Sequence, residues 1–86
     1  MHIRASQKNK MKMTLIEKAE YLTQTKGKVL LTFRGGTTLT GYSRGIYDRE
    51  NEDGDYIGEK MLFDSTEIPR PVFVLNEDLV AVEQVE

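Results

Sequence analysis

Residues 29–51 read VLLTFRGGTTLTGYSRGIYDREN, and their period decides the fold. Val29, Leu31 and Phe33 alternate with Leu30, Thr32 and Arg34, the period of two of a strand. Gly35-Gly36 follows, where a two-residue hairpin turn belongs. The next run, Thr37 to Tyr47, is rich in threonine and aromatic residues and broken by Gly41 and Gly45. Glycine inside a strand marks a bulge or a sharp bend, as required when a small sheet curls on itself. This stretch therefore predicts two strands of a strongly bent sheet.

Upstream, Thr14 and Glu17 have the spacing of a capping box. Leu15, Ala19 and Leu22 recur at helical spacing, Ile16 widens the stripe, and Gly27 stops it. A helix is predicted from Leu15 to Thr25; alone it is marginal in water, so its apolar stripe must lie on the sheet. Downstream, a turn is centred on Asp53-Gly54 and a third strand runs from Glu59 to Asp64, with Met61 and Phe63 on one face. Pro69 and Pro71 bracket a connection that no central strand tolerates. Val72 to Leu75, a turn at Asn76-Glu77-Asp78, and Leu79 to Val85 complete the chain. One N-terminal helix followed by five short strands is the outline of a mostly β, SH3-like barrel.

At 86 residues the chain holds one domain with a thin core, for which association with copies of itself is a natural remedy. Residues 1–13 read as a flexible basic leader and 14–86 as the barrel domain; Met11 and Met13 leave open a later start. The absence of cysteine excludes disulfides and thiolate metal sites, and makes a cytoplasmic location the expectation. No apolar run approaches the roughly 20 residues needed to span a bilayer. Net charge is −2 but polarised: Arg4, Lys8, Lys10 and Lys12 give residues 1–12 a charge of +4, and the remainder carries eight cations against fourteen acids. A basic tail on an acidic body can hold nucleic acid through its phosphates; the plainer reading is a solvated leader with no aromatic residue for stacking.

Catalytic chemistry finds little support. The one histidine is His2, cysteine is absent, and neither Ser43 nor Ser65 sits in an elbow-type setting, so the common nucleophile–base pairs are missing. There is no phosphate loop and no dinucleotide fingerprint, and no cofactor is expected. Residues 48–55, DRENEDGD, invite comparison with a calcium loop. Placing Gly54 at the sixth position puts Arg49 first and Lys60 twelfth, cations where carboxylates are required, so the segment reads as a solvated acidic hairpin tip. Its charge repels phosphate within a Debye length of roughly 8–10 Å.

From Gly27 to Asn51 the chain resembles the first motif of Sm-like (LSm) proteins. Val29, Leu31, Phe33, Gly36, Leu39 and Gly41 meet its pattern in unbroken register, Asn51 follows ten residues after Gly41, and a helix precedes. The family's aspartate position falls on Tyr47, with Asp48 one place late. Its stacking position falls on Glu50, and the Arg-Gly turn of its second motif on Leu75-Asn76. Leu75 cannot supply a cation, while Asn76 can supply the turn. The resemblance implies an Sm-like barrel whose subunits join edge to edge, fourth strand to fifth, in a ring of roughly six or seven copies.

Two functions follow. The first is a ring that binds single-stranded RNA, with Tyr47, Asp48, Asn51 and Asn76 as candidate contacts: bases stack on Tyr47 or Tyr42 and hydrogen-bond to Asn51. The second is an oligomeric barrel serving as an assembly or protein-interaction module without RNA. Each residue also has a plain structural use: the tyrosines as packing, the asparagines as turn residues.

Overall fold

The computed structural model describes residues 13–85; of the basic leader only Met13 falls among them. Helix α1 (Leu15–Thr25) is followed by β1 (Val29–Phe33), β2 (Thr38–Glu50), β3 (Tyr56–Ser65), β4 (Val72–Leu75), a 3₁₀ turn (Asn76–Asp78) and β5 (Leu79–Gln84). All pairings are antiparallel, in the order β4-β3-β2-β1-β5. No helix among the described residues is long and apolar enough to cross a membrane.

The helix has the predicted bounds because its capping box forms: Thr14 Oγ1 accepts from the Glu17 N–H at 3.2 Å, and Glu17 Oε1 accepts from the Thr14 N–H at 3.0 Å. Ile16 and Ala19 bury its apolar stripe in a core with Val29, Leu31, Met61, Phe63, Val74, Leu79 and Val82. A second lock is polar. The buried Ser43 hydroxyl donates to Glu20 of the helix, and the Ser43 N–H donates to Thr23 Oγ1 at 2.9 Å, so the helix is pinned to the bend in β2.

Val74 lies on one edge strand and Val82 on the other, yet both belong to that single core. The sheet must therefore bend strongly, and two glycines of β2 permit it. At Gly41 the backbone of β3 comes so close that a Cβ would overlap the Asp64 carbonyl oxygen. At Gly45 the backbone takes φ +128°, inside a register shift between Ser43 and Ile46.

Bending stops short of closure. The predicted closed barrel is an open sheet, since β4 and β5 lie at opposite edges and do not pair. Strand β4 has only four residues, and Pro69 and Pro71 keep the preceding chain off the ladder. An apolar groove of about 400 Å³ opens between β4 and the β1–β2 hairpin, lined by Phe33, Leu39, Ile68, Val72 and Phe73. Two further expectations are corrected. The first hairpin turns through Arg34-Gly35-Gly36, with Gly36 N–H on the Phe33 carbonyl at 2.9 Å, instead of on two glycines. Strands β2 and β3 also extend well past Tyr47 and Glu59, because Asp48, Arg49 and Glu50 pair with Glu59, Gly58 and Tyr56.

The close approach at Gly41 predicts that Gly41→Ala destabilises the chain by about 3 kcal/mol, the upper end of overpacking effects. Gly35→Ala, with nothing within 4 Å of the added carbon, changes stability by less than about 0.5 kcal/mol. Urea denaturation of the two variants checks the contrast.

Candidate functional site

Period-two alternation sets the outer face of the sheet. Met61 and Phe63 point into the core, so Lys60, Leu62 and Asp64 of β3 point out. Register then builds three rows across β2, β3 and β4. Tyr47, Lys60 and Leu75 form one row, Leu62 and Phe73 the next, and Tyr42 stands opposite Asp64. Tyr47 and Phe73 meet edge to face, with centroids 6.0 Å apart and planes at 84°. The Lys60 ammonium lies 4.3 Å from the Phe73 ring centre, a cation–π contact. Both rings stay accessible, Tyr47 at 47% and Phe73 at 52% of their surface. The Tyr47 ring crosses Gly45, where a Cβ would stand 3.4 Å from it.

Charges flank these rings. Arg44 Nε lies 3.4 Å from Asp64 Oδ2, and Arg49 Nη1 lies 3.7 Å from Glu77 Oε1. Both pairs are long; Arg44, Asp64 and Glu77 are exposed while the Arg49 side chain is only 27% accessible, and each pair stabilises the fold by about 0–1 kcal/mol at most. Asp48 belongs to the opposite face and sits directly across from Glu59, a like-charge pair that strand pairing does not favour. Among the described residues no three acidic or histidine side chains gather closely enough to hold a metal ion.

The two asparagines have local duties. Asn51 Oδ1 accepts from the N–H groups of Asp53 at 2.9 Å and Asp55 at 3.0 Å, while its backbone N–H donates to the Asp55 carbonyl. It organises the β2–β3 turn, as a short side-chain acceptor does. Asn76 Oδ1 accepts from Leu15 N–H at 2.6 Å and Ile16 N–H at 3.2 Å. With Thr14 serving Glu17, the first three donors of α1 are all satisfied, so the helix start presents no free N–H from these residues to an anion. A cleft of about 260 Å³ beside it is lined by Ile16, Arg49, Tyr56, Ile57, Asn76 and Glu77 among others.

The four candidate residues therefore do not share one pocket. Tyr47 stands on the outer face, Asp48 on the inner, Asn51 at a hairpin tip and Asn76 under the helix; only Asn76 lines the cleft. Lys60 and Phe73 are the partners that sequence reading left out. Alternation about Val74 points Phe73 outward, but pairing Tyr47 with Lys60 requires the register shift after Ser43; Gly45 marks a bulge there without saying which residues pair beyond it.

If Asn76 works as a cap, Asn76→Ala lowers stability by about 1–2 kcal/mol. Asn76→Asp, which keeps an acceptor oxygen and adds a favourable charge at a helix start, stays near the parent. Thermal unfolding followed by circular dichroism distinguishes them. Compared with known proteins, the chain matches no family model, no curated protein and no solved structure.

Proposed function

We propose that this chain is an Sm-like module that assembles with copies of itself through its two sheet edges into a closed ring. One observation carries this reading: β4 and β5 are the two unpaired ends of a single open sheet. Each end offers a row of backbone donors and acceptors, and native proteins normally blunt such edges with charge, proline or bulges. Strand β4 contains no charge or proline, and the only charge on β5 is Glu83. Strand β5 instead exposes half of Val80, and Phe73 of β4 is exposed beside an apolar groove. The two edges differ, so joining one to the other is a head-to-tail contact, which closes into a ring when the rotation allows. The N-terminal helix, the strand order and the bend glycines agree with the Sm-like resemblance of residues 27–51.

Single-stranded RNA is the second reading, favoured by the charge division of +4 on residues 1–12 against a net negative remainder. Asn51 Oδ1 is engaged in its turn and Asn76 Oδ1 at the helix start, which leaves a base-reading role for Asn51 to its amide nitrogen.

Light scattering on the eluting protein tests assembly. The parent chain is expected at a single multiple of its 9.9 kDa mass. Val80→Lys, which places charge on an exposed edge position, is expected to run as a monomer with an unchanged circular dichroism spectrum. A parent that is monomeric throughout the micromolar range defeats the ring.

A further inference from the structure

We propose that the basic leader returns to its own chain and seats residues 8–12 in the cleft beside the helix start, with Lys8, Lys10 and Lys12 against the acidic β2–β3 hairpin and Met11 against Tyr56 and Ile57. The proposal depends neither on assembly nor on RNA.

Charge is the first ground. Residues 48–59 hold six acids and one arginine, a net charge of −5, whereas the rest of residues 13–86 holds eight acids and seven cations. The negative charge of the body is therefore gathered on one hairpin. That hairpin lines the cleft through Arg49, Tyr56, Ile57 and Glu59. The groups there that would draw an anion are engaged: Glu77 pairs with Arg49, and Asn76 accepts from the Leu15 and Ile16 N–H groups. The cleft thus favours a cation, and residues 1–12 carry four with no acid.

Connection is the second ground. Thr14 itself lines the cleft, so the leader joins the body at its edge and needs no long loop to arrive. From Thr14, six extended residues reach about 20 Å to Lys8, and the strand from Glu59 out to Asp55 is about 13 Å long. Such a tether supplies a high local concentration, which compensates for surface ion pairs that are individually weak. In an extended segment Lys8, Lys10 and Lys12 fall on one side and Met11 and Met13 on the other. A segment lying in a cleft can use both sides. Tyr56 and Ile57, 62% and 46% exposed, offer apolar surface to Met11, whose unbranched side chain adapts to an irregular wall.

Carbodiimide coupling, which joins an amine to a carboxylate only where the two touch, tests this on the full chain with crosslinks mapped by mass spectrometry. At low salt most leader crosslinks are expected on Asp55, Glu59 and Glu77 instead of Glu17, the acid nearest the leader in sequence. Raising the salt to roughly 0.5 M, where the Debye length falls to about 4 Å, removes them. Ile57→Ser, checked for an unchanged melting temperature, lowers their yield at least about threefold, the equivalent of one buried methylene group. Met11→Ser, which lies outside the core, lowers it similarly and keeps the test sound if Ile57→Ser unfolds. Crosslinks that concentrate on Glu17 and Glu20, or that persist undiminished in Met11→Ser, overturn the proposal, as does their absence. In a mixture of light and isotopically heavy chains, crosslinks are expected within single chains. Crosslinks of mixed mass mean that the leader sits on a second copy, and its return to its own chain is then wrong.

Discussion

Strand β2 passes over β3 at Gly41 with no room for a side chain between the two backbones, and the architecture is organised around that crossing. Because the strands touch there, the sheet folds over and brings β4 and β5 against one core. Because the turn continues through the shift between Ser43 and Ile46, Ser43 faces the helix, donating its hydroxyl to Glu20 and its N–H to Thr23. A straighter β2 would leave Val74 and Val82 far apart along one open face, which would not exclude water. The tight crossing thus converts five short strands into one enclosure, with a helix as its lid.

The elements whose signals are local were legible in the sequence. Thr14 and Glu17 define the helix start, β4 occupies its predicted four residues, and Gly41 and Gly45 mark the bend. Features set by pairing between distant segments were not. Asp48, Arg49 and Glu50 look like the beginning of a polar turn, yet they extend β2 because Tyr56, Gly58 and Glu59 lie opposite them. Closure also depends on whether two edges come within hydrogen-bonding distance, and a four-residue strand behind two prolines does not reach. The candidate site divides the same way. Tyr47 can be found from composition, whereas its neighbours Lys60 and Phe73 emerge only from register.

Three demands meet in β4. It buries Val74 to close the core, turns Phe73 outward beside Tyr47, and presents an open backbone edge. Alternation lets four residues serve all three, since inward side chain, outward side chain and edge backbone point in different directions.

The Asn76 bond to Leu15 joins residues 61 positions apart, and β5 completes the sheet against β1 from the far end of the chain. Contacts of such long sequence separation form late and slow the search for the native state. During synthesis the first helix emerges well before the residue that finishes its cap and before the strands that cover its apolar stripe. Until the ribosome has released the last strand, Ile16 and Ala19 have only part of their shelter, and the newborn chain must wait for its own tail before its head can settle.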